Sequence, residues 1–368
     1  MKDEIGSFYE IEDVTAPFDR ASFPLEAWLK KSTNSKDLKL VCSGREAIEV
    51  AVIQIEQQGG VERKVCLLPQ YTCDTVIIPF QKHGWQIFFY PVDKKLEIKK
   101  ETLGQLLETI NPEVILIHTY YGVDTAKEVR ELIQVWKEKT GMIFIEDMTQ
   151  SLPLLPSCCG ADYYVGSLRK WFAVPDGGFV ASIHTPIEIE LLEEKELYVK
   201  KKLKAQKLKY EYLSKNEVCE KEVFLKLNRE AEDYLYENDS ICQMSAFGRN
   251  VLEYLDYECN FNRRHENSKY LFEQMRELEK VTPILEIEKE APLYFPIYVD
   301  KREELQTLLR ENQIFAPILW PVPEQVEQNM DEHVKFIFEN MLALPCDQRY
   351  SLRDMEKIVE CLRVYDKE

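Results

Sequence analysis

Two ionisable residues stand out by their placement. Asp147 follows the apolar run Met142–Ile145, and Lys170 precedes a Pro-Asp-Gly-Gly turn and a second apolar run, all within Gly141–Val180. An acid at the end of a buried strand can bind magnesium, bind a ribose, cap a helix, or keep a proton on a heterocyclic nitrogen by stabilising its charged form in a low dielectric. A lysine amine can form an imine with an aldehyde. Ser167, just before Lys170, offers a hydroxyl to an anion, and Trp171 and Phe172 would shield an imine from water. Upstream, Ser43-Gly44-Arg45 stands at the head of an amphipathic stretch. The free N–H groups and positive dipole of a helix start attract phosphate, and glycine permits close approach. Phosphate turn, ring-nitrogen acid and amine, in that order, are the three requirements of pyridoxal 5'-phosphate, an electron sink only while its ring nitrogen is protonated. They predict Lys170 and Asp147 as catalytic groups, with Ser43, Gly44, Arg45 and Ser167 holding the cofactor.

The elements that must position these residues alternate. Ala47, Ile48, Ala51, Val52 and Ile55 recur at helical spacing before Gly59-Gly60. Val65–Leu68, Trp85–Val92, Val114–His118 and Met142–Ile145 are short apolar runs, separated by helical patterns over 72–83, 103–110 and 127–138. Such alternation predicts an α/β fold, a mostly parallel central sheet with helices on both faces. Ligands bind such sheets outside the carboxyl ends of the strands. Tyr71, Tyr120-Tyr121-Gly122, Asp147 and Gln150 then belong to one rim. Residues 1–38 read as an irregular arm with a short helix near Leu25. Residues 186–237, rich in Glu, Lys and Leu, read as a long helix or helical hairpin, with the lysines of KKKLKAQKLK on a solvated face. The helical pattern returns over Gln243–Leu278. Leu293–Val299 and Ile314–Leu319 resemble strands of a smaller α+β domain with helices near 302–310 and 352–363. The expected division is 1–250 for the arm, the large α/β domain and the helical segment, and 251–368 for the small C-terminal domain.

Composition narrows the function. Hydrophobic residues make up 45% of the 368 and aromatics 11%, enough for a packed core. A formal charge of −18 disfavours nucleic acid as a main partner. No apolar run approaches the roughly 18–20 residues of a membrane span. The acidic start MKDEIGSFYEIEDV does not read as a secretory signal, so a cytoplasmic protein is expected. Ten scattered cysteines without a CxxC pair read as reduced thiols, and the five separated histidines predict no metal site.

Several segments together resemble the DegT/StrS-type nucleotide-sugar aminotransferases, a family of fold-type I pyridoxal phosphate enzymes. CSGREAIEVA is similar to that family's Ser-Gly-Thr-x-Ala-Leu phosphate turn, and LLPQYTCDTVIIPF to its Pro-x-x-Thr helix. VILIHTYYG is similar to its Val-His-x-Tyr-Gly segment, FIEDMTQSL to its Glu-Asp-x-x-Gln strand end, and LALPCDQRYS to a C-terminal Leu-Pro segment. The resemblance spans residues 40–183 and, more loosely, the C-terminal domain. It implies Asp147 on the ring nitrogen, Gln150 near the ring hydroxyl, an amino-acid donor, a keto-sugar nucleotide acceptor in surface-polysaccharide or secondary-metabolite biosynthesis, and a homodimer. Four departures bear on it. Arg45 stands where the family has Thr, and Cys73 where it has an aromatic that stacks on the ring, leaving Tyr71 or Tyr120 for that place. The lysine lies in SLRK rather than Ser-Phe-His-x-x-Lys, and DSICQM stands where a Gly-Tyr-Asn-x-Arg segment is usual. Another fold-type I reaction on an amino acid, such as β-elimination or decarboxylation, or a non-catalytic binding member of the fold, uses the same residues.

Overall fold

The computed structural model describes residues 4–12, 24–214 and 220–367. The chain opens with a two-residue strand, β1 (Ile5–Gly6), and helix α1 (Leu25–Thr33). Then come β2 (Asp37–Val41), α2 (Gly44–Gln58), β3 (Val65–Pro69), α3 (Asp74–Lys82), β4 (Gln86–Tyr90), α4 (Lys100–Ile110), β5 (Val114–His118), α5 (Arg130–Thr140), β6 (Ile143–Asp147), β7 (Tyr163–Ser167) and β8 (Gly178–Ser182). Strands β2 to β8 form one seven-stranded sheet in the order β2-β8-β7-β6-β5-β3-β4. Only β8 runs against the others, pairing antiparallel with both β2 and β7. Six strands therefore end on the same edge, and β8 begins there.

The strand sequences explain why this sheet is central. Val114–Ile117 and Phe144–Ile145 are buried, with alternate residues packing into apolar clusters on the two faces. Ile115 and Ile117 join one cluster, and Val114 and Leu116 the other. Full burial of such side chains stabilises by about 1.5–3 kcal/mol each. Gly141, in the left-handed conformation at φ 77°, ends α5 and turns the chain into β6.

Beyond the sheet, α6 (Glu196–Ser214) and α7 (Lys221–Glu237) are the two arms of a helical hairpin. The chain continues with α8 (Ala246–Glu253), α9 (Tyr257–Met275), β9 (Val281–Pro283), β10 (Phe295–Val299), α10 (Arg302–Glu311), β11 (Ile314–Phe315), α11 (Glu324–Glu327), α12 (Glu332–Asn340), β12 (Met341–Leu344) and α13 (Leu352–Lys367). Strands β12-β10-β9 make a small antiparallel sheet. Among the described residues no helix is long and apolar enough to cross a membrane.

Two local expectations change. The run Ile314–Leu319 is not a strand of the small sheet. Only Ile314–Phe315 is extended, pairing parallel with Ile5–Gly6, because Pro317, Pro321 and Pro323 lack the N–H a ladder needs. The N-terminal arm is accordingly stitched to the C-terminal part. The lysines of α6 are also not all solvated: Lys202 and Lys209 are buried on the face they share with Gln206. The Lys209 ammonium reaches the Phe8 carbonyl and, at 3.1 Å, the Glu10 carboxylate, while burial pushes its pKa down to about 8.

Candidate active site

The common edge of the sheet gathers almost every residue that the sequence nominates. A cavity of about 410 Å³ is lined by Ser43, Gly44 and Arg45 from the α2 start, Asp147 and Gln150 after β6, and Ser167 and Lys170 after β7. These positions lie far apart in the chain and meet because β2, β6 and β7 all end on one side. Tyr71 does not line this cavity. It is buried in an aromatic cluster, its ring 5.5 Å from Tyr120 and 5.0 Å from Phe338, with its hydroxyl 3.2 Å from that of Tyr121.

One end of the cavity is built for an anion. Ser43 caps α2, its Oγ accepting from Glu46 N–H at 3.3 Å and donating to the Glu46 carboxylate at 3.2 Å, a reciprocal cap. That leaves the Gly44 and Arg45 N–H groups, which have no partner within the helix. A side chain on Gly44 would place its Cβ 3.1 Å from Ser167 Cβ, so the bare turn keeps the space open. Ser167 Oγ is buried and lacks a hydrogen-bond partner. Its own N–H donates to Thr149 Oγ1 at 3.1 Å. The start of α3, with Thr75, forms a further wall, so two helix N-termini converge.

Asp147, 3% exposed, is anchored from both sides. Oδ1 accepts from Thr149 N–H at 2.8 Å, and Oδ2 lies 3.3 Å from His118 Nδ1. His118 Nε2 is 2.9 Å from Thr72 Oγ1. Burial lowers the pKa of His118 despite the nearby carboxylate, which favours the uncharged imidazole. Gln150 accepts from Tyr121 N–H at 3.3 Å. Lys170 sits exposed on an irregular turn and, among the described residues, its amine has no hydrogen-bond or ion-pair partner.

Three features escaped the sequence reading. Trp320 lines the cavity from the C-terminal part, its ring nearly parallel to His118 (23°, centroids 6.0 Å). It supplies an aromatic wall where Cys73 offers none, and ILWPVP carries no local sign of that. Thr149 lies in the motif FIEDMTQ but shows its role only through its bonds. Finally, the hairpin closes the outer side. Arg45 is turned away from the anion end to the carbonyls of Leu235, Tyr236 and Asn238, capping α7. Tyr236 donates to Asp74 at 2.9 Å, and Glu232 pairs with Arg169 at 2.8 Å. A second chamber of about 630 Å³ adjoins the first and shares Gln150, Lys170 and Trp320 with it.

No family model and no curated protein sequence matches the chain. Solved structures match it over nearly its whole length. A DegT DnrJ EryC1 StrS aminotransferase from Brucella abortus superposes with a TM-score of 0.64 at 14% identity, over 94% of this chain and 92% of that one. The chain has the fold of a DegT/StrS-type aminotransferase. Helicobacter pylori PseC, an aminotransferase involved in the biosynthesis of pseudoaminic acid, gives 0.67 at 13% identity over 99% of this chain and all of that one (100%). Spr1654 from Streptococcus pneumoniae, in a PMP form, gives 0.67 at 14% identity over 99% and 98% of the two chains, and a PLP form also matches. The likeness in fold agrees with the sequence motifs that resemble the DegT/StrS-type proteins. At 13–14% identity it speaks for the fold, and the site residues must argue for themselves.

Proposed function

We propose that the protein is a pyridoxal phosphate-dependent aminotransferase that moves an amino group from an amino acid to a keto-sugar nucleotide, and that it works as a homodimer. One observation carries this reading: a carboxylate, an unpaired lysine amine and an anion cradle share one cavity on the carboxyl edge of the sheet. The residues fit the cofactor, since the orphaned Ser167 hydroxyl and the space kept by Gly44 suit a phosphate. The neighbouring solved structures include PLP and PMP forms. The sugar acceptor rests on resemblance, and the wider chamber of about 630 Å³ beside Lys170 leaves room for it.

When bound, pyridoxal phosphate supplies an electron sink for the carbanion of the amino donor. Asp147, held by Thr149 and beside His118, would present its carboxylate to the ring nitrogen. The N–H groups of Gly44 and Arg45, with Ser167 Oγ, would receive the phosphate. Gln150 stands beside Asp147 to orient the ring. Lys170 Nζ would hold the aldehyde carbon and would be the base for the proton on the donor α-carbon. Trp320 and the α6–α7 hairpin limit the entry of water.

The test is spectroscopic and chemical. Added pyridoxal phosphate should give a visible absorbance band, and borohydride should fix the cofactor on Lys170. Colourless protein, or a cofactor fixed elsewhere, would remove the reading. Glutamate and aspartate, offered singly, should bleach the band if they are donors.

A further inference from the structure

We infer that Glu232, on helix α7 of the same chain, is a positioning residue for Lys170: it holds the Arg169–Lys170 turn and sets the charge that the lysine amine feels. The inference rests on the assignment of Lys170 as the cofactor lysine.

The turn from Leu168 to Gly177 has no regular structure. Its backbone is tied by Leu168 N–H to the Gly177 carbonyl at 2.9 Å, and Trp171 Nε1 donates to the Thr149 carbonyl at 2.8 Å. Among the described residues its one ion pair is Arg169 with Glu232, where a single guanidinium nitrogen meets both carboxylate oxygens at 2.8 and 2.9 Å. Glu232 is itself clamped. Lys202, buried on α6, donates to its carboxylate at 2.5 Å and to Asn228, one turn away on α7, at 2.6 Å. Two cations thus bracket one carboxylate: Arg169, directly before Lys170, and Glu232 line both chambers, and Lys202 lines the wider one. The arrangement favours the ionised carboxylate, whose pKa falls to about 2 under the two cations in spite of burial.

The consequence is electrostatic. Lys170 shares the walls of the first cavity with Asp147, His118, Cys73, Arg169, Glu232, Asp233 and Asp74, and those of the wider chamber with Lys202, Lys221, Arg264, Arg310, Asp347 and Arg349. Of these, Glu232 is paired directly to the residue before Lys170, and that pair can be cut without touching the cofactor cradle. Without Glu232, Arg169 and Lys202 are left uncompensated, and extra positive charge disfavours the ammonium form of Lys170. Without Lys202, Glu232 is less neutralised and the ammonium form gains.

The experiment uses cofactor-free protein and reads the pH midpoint for acylation of Lys170 by acetic anhydride, followed by peptide mass spectrometry. Glu232→Gln should lower the midpoint by about 0.5–1 pH unit, Lys202→Met should raise it, and Glu232→Asp should restore most of the wild-type value. Midpoints that do not move, or that move in the same direction in Glu232→Gln and Lys202→Met, overturn the inference. If one variant does not fold, the sign of the other decides. Failure of wild-type protein to bind pyridoxal phosphate would instead strike the functional reading, and opposite shifts would still establish the electrostatic coupling.

Discussion

At the scale of single residues, the proposed site divides into Lys170 and Asp147, assigned to chemistry, and groups such as Ser167, assigned to holding a ligand. Lys170→Ala should abolish borohydride fixation and turnover. Asp147→Ala should leave the fold intact and lower turnover by about 10²–10⁴-fold, measured under saturating donor, because Asp147 is the carboxylate assigned to the ring proton. Ser167 gives the sharper test. Its buried hydroxyl has no partner, which costs stability of about 1–3 kcal/mol in the cofactor-free state. Ser167→Ala should therefore hold or raise the melting temperature of cofactor-free protein while weakening cofactor binding by about 10-fold or more, as one charge-assisted hydrogen bond is lost. A fall in both would mean that the hydroxyl is structural.

At the scale of elements, the cradle depends on how closely β8 approaches the start of α2. Gly177 N–H donates to the Cys42 carbonyl at 2.7 Å. A Cβ on Gly178 would lie 2.4 Å from the Ser43 carbonyl oxygen, and that neighbour is backbone. Gly178→Ala should cost about 1–3 kcal/mol, seen as a lower melting temperature, and should loosen the phosphate turn as well. The hairpin is attached differently, through polar latches as well as a small apolar cluster that includes Tyr198 and Leu235. Glu232 has a carboxyl held low, to about 2, against an ordinary value of 4.5. Its stabilising contribution is complete above pH 4.5 and is lost as pH falls from there toward 2. Hydrogen exchange in α7 should rise over that window in wild type, and Glu232→Gln should show the raised exchange already at pH 6.

At the scale of the whole molecule, the N-terminal arm and the C-terminal part hold the lysine turn from below. The Tyr9 hydroxyl donates to the Trp171 carbonyl at 3.0 Å and accepts from Arg264 at 2.6 Å. Gln348 donates to the same carbonyl at 2.7 Å, and the Arg264 guanidinium lies 4.7 Å from the Trp171 ring centre. Tyr9→Phe removes two of these bonds and leaves a buried guanidinium short of an acceptor. It should lower stability by about 1–3 kcal/mol in denaturant unfolding. Because the joint lies behind Lys170, the same variant should also slow borohydride fixation.

The sequence by itself determined the local parts of this protein. Strand and helix periods, Gly141 at the end of α5 and the cap before Gly44 are set by neighbouring residues, so the sheet and the order of phosphate turn, acid and lysine are legible without coordinates. Seven of the eight proposed site residues meet in one cavity for that reason, since parallel strands of known polarity must end on one edge. Tyr71 does not line that cavity, because both sides of a rim look alike in sequence and packing turned its ring into the aromatic cluster. Only the tertiary structure decided the rest. Arg45 reads as a phosphate ligand until the end of α7 docks beside it and claims its guanidinium. Lys202 reads as a solvated lysine until Glu232 and Asn228 lie within reach. Trp320 becomes a wall only when the C-terminal part folds back over the sheet. These roles come from contacts between residues distant in the chain, and no local period or motif encodes the docking of one element on another.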